Sequence, residues 1–204
     1  MKRRKRTILF WAVALVIIVA AVFAFRSYNC ASYHISTTAM EGTLHKGDFI
    51  LAKRLLNNKA PQRNDIVLFK DARPGQPSKG CFIGRCVGMP GDTVDFSIEG
   101  IKYKVIVPGI GYRYQVDNLL FAYQGAIVNE EGKQATFKNK ELFLGGEKAD
   151  SFYFGENYYW ILGDNVYDAI DSHYFGFIPQ NCIIGVGTFC WFSRDPQHIF
   201  KKLK

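Results

Sequence analysis

The chain has 204 residues, of which 48% are hydrophobic, 15% aromatic and 22% charged. That balance leaves room for one domain of ordinary size plus an appendage and argues against disorder. The net charge of +8 suggests nucleic acid only until it is located: Lys2, Arg3, Arg4, Lys5 and Arg6 supply five of the charges, leaving +3 for the rest, and Lys201, Lys202 and Lys204 account for much of that. No basic groove remains, and no nucleic-acid partner is expected.

In chain order, the basic cluster at residues 1–6 is followed by "TILFWAVALVIIVAAVFAF", 19 residues from Thr7 to Phe25 without charge, glycine or proline. A helix needs roughly 20 residues to cross the hydrocarbon core, whereas a cleaved signal has an apolar region of about 7–15. The stretch therefore reads as an uncleaved anchor over residues 7–26 that contacts membrane lipid. The positive-inside rule keeps residues 1–6 cytoplasmic and places residues 27–204 beyond the inner membrane.

After the anchor, short runs rich in β-branched and aromatic residues predict strands over 48–55, 65–70, 80–89, 93–98, 102–107, 158–163 and 182–193. Pro74-Gly75, Pro90-Gly91-Asp92 and Gly163-Asp164-Asn165 punctuate them as turns. Helical periodicity is confined to about residues 115–125. The expected fold is a mostly β barrel or sandwich, with residues 99–152 as an inserted lobe. The cysteines Cys81, Cys86, Cys182 and Cys190 read as small apolar core residues. His34, His45, His173 and His198 are scattered, so no metal site is expected, and no motif points to a cofactor.

Three segments carry chemistry when taken together. The first, "TTAMEGTLHKGDFILAKR", resembles S-x-S-M-x-P-T-L followed by G-D, and matches it at Met40, Thr43, Leu44, Gly47 and Asp48. The second, "RNDIVLFK" followed by "GRCVGMPGDTV", resembles R-G-D-I-V-x-F and K-R-x-x-G-x-P-G-D at Arg63, Asp65, Arg85, Gly88, Pro90, Gly91 and Asp92. The third, "GDNVYDAIDSHYFGFIP", resembles G-D-N-x-x-x-S-x-D-S-R-x-x-G-x-V-P at Gly163, Asp164, Asn165, Asp171, Ser172, Gly176 and Pro179. These patterns in this order, behind an anchor, are those of the signal peptidase I family of membrane-anchored Ser/Lys peptidases. The resemblance covers about residues 7–98 and 150–193.

The departures fall on the reacting groups. By the resemblance the nucleophilic serine aligns with Ala39, the general-base lysine with Gly84, and the serine that orients that lysine with Ala169. The proline after the nucleophile is Gly42, the arginine after Asp-Ser is His173, and the serine that helps hold the oxyanion is Thr37, which still carries a hydroxyl. A Ser/Lys dyad works because burial lowers the lysine's pKa until it can take the serine's proton. With both groups gone, only about 10³–10⁴-fold acceleration over water is expected to remain. Thr38 is expected to aim away from the slot, Thr37 to sit about 6–7 Å from the carbonyl, and Lys79 to emerge elsewhere. Asp171 and Ser172 read as internal hydrogen-bond partners, Arg85 as half of a structural ion pair, and Met40 and Asp164 as parts of the retained frame.

The expectation is a non-catalytic family member at the membrane surface. Its partner is an extended peptide or preprotein segment, a partner peptidase, or a secreted, pilus-like subunit in surface-fibre assembly. The alternative is an active signal peptidase with a displaced nucleophile. On the resemblance, Ala39→Ser combined with Gly84→Lys would return slow cleavage.

Overall fold

The apolar runs "IVLF" and "YYWIL" contain no alternation with polar residues, as expected of strands covered on both faces. The structure, a computed structural model, bears this out; it describes residues 10–20, 22, 30–55, 59–73, 80–98, 100–116 and 121–203. In β3 (Ile66–Phe69) every residue is buried: Ile66 and Leu68 face one core, Val67 and Phe69 another. In β12 (Tyr158–Leu162), Tyr158 and Trp160 join one cluster while Tyr159 and Ile161 join the opposite one. The period of two sorts one apolar string into two cores.

These strands lie in a seven-stranded sheet ordered β1-β2-β14-β3-β4-β12-β13. The other members are β1 (Cys30–His34), β2 (Phe49–Arg54), β4 (Phe82–Gly88), β13 (Ile178–Pro179) and β14 (Ile183–Phe192). All pairings are antiparallel, with Val67 opposite Gly84 and Leu162 opposite Arg85. The described strands β1 and β13 stand at opposite ends of the sheet, so it is open rather than a closed barrel. The mostly β class expected from sequence is correct.

Residues 99–152 contain β6 (Ile101–Ile106), which pairs with β5 (Thr93–Ile98), and β7 (Arg113–Gln115). They also contain α2 (Phe121–Glu131), β8 (Ala135–Lys138), β9 (Glu141–Leu144) and β10 (Glu147–Ala149). β7 pairs with β11 (Ser151–Tyr153). That pairing explains why the expected helix near 115–125 lies later: residues 113–115 are drawn into a ladder, and the helix begins at Phe121. α2 buries Ala122, Tyr123, Ala126 and Ile127 against the same cluster as Trp160 and Phe177, so this segment shares a core with the sheet.

Residues 10–20 form helix α1, whose apolar side chains, Trp11 and Ile17 among them, are exposed. Among the described residues no helix is long and apolar enough to cross a membrane. The basic cluster at 1–6 and both ends of the expected 7–26 span lie outside the described residues, as does Lys79.

Candidate functional site

The first motif folds as a loop between β1 and β2, zipped at its base where Ile35 N–H donates to Asp48 O and Gly47 N–H to Ile35 O, both at 2.8 Å. Residues 37 and 38 are bends and 39–43 a turn, so the extended geometry assumed for this stretch does not hold. Met40 and Leu44 are wholly buried among Ile35, Ile50 and Ile66. These two apolar anchors pin the turn, and Met40 O accepts from Thr43 N–H and Leu44 N–H. Gly42 adopts φ +96°. Proline, locked near −65°, cannot take that conformation, so this turn runs differently from one built on M-x-P-T-L.

The third motif closes on this turn. Ala39 O accepts from Asn165 N–H at 3.0 Å, and Thr38 O from Asn165 Nδ2 at 3.1 Å. A Cβ added at Gly163 would stand 2.8 Å from Ala39 O and collide with Ala169 Cβ, so only glycine lets the segments approach this closely. Asp171, buried, accepts from Gly163 N–H at 3.0 Å and caps the short helix α3 (Ser172–Phe175) through His173 N–H at 2.9 Å. Ser172 Oγ accepts from Ile161 N–H at 2.9 Å, where the β12–β4 register shifts between Trp160 and Ile161. Asp171 and Ser172 thus satisfy backbone donors that the sheet leaves over.

Arg85 of β4 binds the parts together. Its Nε and Nη2 donate to Asp164 Oδ1 at 2.9 Å and Oδ2 at 2.7 Å, its Nη1 to Asn64 O at 3.0 Å and its Nη2 to Thr43 Oγ1 at 3.2 Å. Thr43 Oγ1 also donates to Asp164 Oδ2 at 2.6 Å. Partial burial alone would raise the Asp164 carboxyl, but the Arg85 fork, the Thr43 hydroxyl and the nearby positive charge outweigh it and hold the pKa below the usual range.

The two slots differ. Ala39 opens onto a cavity of about 250 Å³, which Tyr33, Thr37, Cys81, Ile83 and Asp168 also line. Gly84 is not among the described residues lining it, and neither is Thr38. A Cβ at Gly84 would lie 2.6 Å from Ile161 Cγ2 and 3.0 Å from Leu162 O. Carbon atoms pack at about 3.5–4.0 Å. The position that the resemblance assigns to the general base is therefore packed against β12, and a side chain there meets that strand from its first carbon. This contact bears on the expectation that Ala39→Ser with Gly84→Lys returns slow cleavage, because a lysine at position 84 meets β12 from its Cβ onward.

Sequence reasoning missed Asp168 and Cys81. Asp168 falls on an unspecified position of the third motif; it is exposed and accepts a hydrogen bond from Thr38 Oγ1. Cys81 was expected in the core together with Cys86, Cys182 and Cys190. Cys86 and Cys190 are buried and Cys182 half-buried, but Cys81 is exposed. The surrounding cavity wall nevertheless pushes the Cys81 thiol up to about 11, which keeps it a thiol rather than a nucleophilic thiolate at neutral pH. The structure also gathers residues that sequence left scattered: one ligand atom each of His45, Asp48 and His198 lies within 4.8 Å of the others.

The turns, caps and ion pair of the three motifs thus come together around Ala39, with Gly84 packed against β12. A family model described as signal peptidase, peptidase S26, matches residues 8–192, and the chain belongs to that family. It is 30% identical to the signal peptidase I of Aquifex aeolicus, over 89% of this chain and 83% of that protein. It is 26% identical to the signal peptidase I of Buchnera aphidicola subsp. Baizongia pistaciae, over 91% and 75%. To the signal peptidase I of Bacillus amyloliquefaciens it is 25% identical, over 100% and 93%.

Proposed function

We propose that this family member does not cut, and instead holds an extended peptide or preprotein segment in the cavity beside Ala39, acting as an assembly factor or regulator for a partner peptidase or a secreted, pilus-like subunit. The observation that carries this is the pairing of an alanine at the attacking position with a base position shut by Ile161 and Leu162 O. Peptide capture at such a site proceeds by strand addition, with small pockets for alternate side chains. The exposed apolar helix α1 supports anchoring in the inner membrane through residues 7–26, with the N-terminus cytoplasmic and the β domain beyond it.

One contact favours a second reading, in which the protein cleaves preproteins with a displaced nucleophile: Thr38 Oγ1 donates to Asp168, a hydroxyl paired with a carboxylate at the cavity rim. A carboxylate is a far weaker base than a neutral lysine, and Thr38 does not face the cavity, so the first reading is preferred. Incubating the detergent-solubilised protein with a preprotein decides between them. Retained peptide with no mature product supports the non-catalytic reading. Cleavage that disappears in Thr38→Val or Asp168→Asn establishes the second.

A further inference from the structure

Behind the slot loop, the chain brings two imidazoles and a carboxylate to one point. We propose that His45, Asp48 and His198 form a site for a late divalent transition metal, zinc being the natural occupant, which ties the C-terminal segment to the loop that carries Ala39. The three side chains come from the turn of the first motif, the residue before β2, and the short 3-10 turn Pro196–His198 after β14. Two nitrogens and one oxygen suit zinc, which takes imidazole at about 2.0–2.1 Å and carboxylate at about 2.0–2.2 Å.

The carboxylate is already prepared. Asp48 is 1% exposed; its Oδ1 accepts from Ser193 Oγ at 2.6 Å and its Oδ2 from His45 N–H at 2.9 Å. Such outer contacts orient a ligand before the ion arrives. Burial works against its charge, but these hydrogen bonds and His198 outweigh it and keep the group ionised. His198, 8% exposed, places Nδ1 3.4 Å from Asp48 Oδ2.

The His45 and His198 rings stand stacked with centroids 4.2 Å apart. Tetrahedral ligands around zinc are about 3.3 Å from one another, so one ring must turn. His45 is the ring that can: its side chain is 37% exposed. Glu41 Oε1 lies 3.8 Å from His45 Nε2, beside the site. One group opposes the ion. Lys201 Nζ lies 3.4 Å from His198 Nε2, and metal on Nδ1 requires a proton on Nε2, which turns that contact from attraction to repulsion.

The test is zinc titration of the full-length, detergent-solubilised protein, carrying no oligohistidine tag, by calorimetry with a competing chelator. One equivalent should bind and raise the melting temperature. His45→Ala and His198→Gln should each weaken binding by at least about 100-fold, since even outer-contact losses cost about 10–100-fold. Lys201→Met should tighten it. His45 is partly exposed, so His45→Ala retains the fold even if His198→Gln does not. Absence of binding to the wild type, or binding unchanged in His45→Ala, overturns the proposal.

Discussion

Gly84→Ala tests whether the base position is closed. The added methyl carbon would lie 2.6 Å from Ile161 Cγ2 and 3.0 Å from Leu162 O. Against a normal carbon contact of about 3.7 Å, the first is an overlap of about 1.1 Å. Ile161 is wholly buried and β-branched, so its methyl cannot swing clear. Overpacking of this kind costs about 1–3 kcal/mol, offset by about 0.4–1 kcal/mol because alanine restricts the unfolded chain. A net loss of about 1–2 kcal/mol is expected, read as a fall of roughly 2–8 °C in melting temperature for a domain of this size. The control is a double-mutant cycle. Ile161→Ala is itself costly, about 2–5 kcal/mol, but it removes the clashing methyl. Gly84→Ala should then cost about 1 kcal/mol less in the Ile161→Ala background than in the wild type. A neutral Gly84→Ala, or an equal cost in both backgrounds, would show that β12 leaves the position open.

Three further outcomes follow from the same geometry. Ala39→Ser with Gly84→Lys should give no mature product from a preprotein substrate, measured by gel over long incubation; measurable cleavage would mean that β12 yields to the lysine. Gly42→Ala should destabilise by about 1–2 kcal/mol through its positive φ, and Gly42→Pro by more, checked by thermal melts. Arg85→Met should change the pH dependence of stability. In the wild type Asp164 has a lowered folded pKa, so its contribution is full above the unfolded value of about 3.9 and is lost as pH falls through the folded value. Without Arg85 the burial effect has less opposition, so the difference in melting temperature between wild type and variant should be largest above about pH 5 and shrink below about pH 4. A difference independent of pH would show that Asp164 stability does not depend on Arg85.

Much of this was legible in the sequence because the responsible signals are local. Strands such as "IVLF" and "YYWIL" announce themselves by β-branched and aromatic runs bounded by Gly, Pro and Asn. Arg85 as an ion-pair member and Asp171 and Ser172 as internal partners follow from motif positions that need a hydrogen-bonding group. What a glycine conceals is its neighbour. Gly84 reports that a side chain is missing, but not that Ile161 and the Leu162 carbonyl stand where it would project. Gly42 reports a missing proline, but its φ of +96° depends on how Met40 and Leu44 are pinned below it. The convergence of His45 and His198 depends on the path of the chain after β14, which brings the C-terminal turn back over the slot loop; no local spacing encodes that.

The slots bear on how the chemistry is organised. An empty site that merely lacked a hydroxyl and an amine would keep two holes, and two substitutions would refill them. Here Ala39 opens onto the cavity, while Gly84 packs against β12, where Ser172 Oγ accepts from Ile161 N–H and, just beyond the strand, Asp171 accepts from Gly163 N–H. Asp171 and Ser172 therefore help to hold β12 where it packs against Gly84. Weakening them should loosen β12. Ser172→Ala leaves the buried Ile161 N–H without its acceptor, at about 1–3 kcal/mol, and should lower the melting temperature while leaving preprotein cleavage absent. A gain of cleavage in Ser172→Ala would mean that the strand was held shut by that one hydroxyl, and that the scaffold is poised to cut.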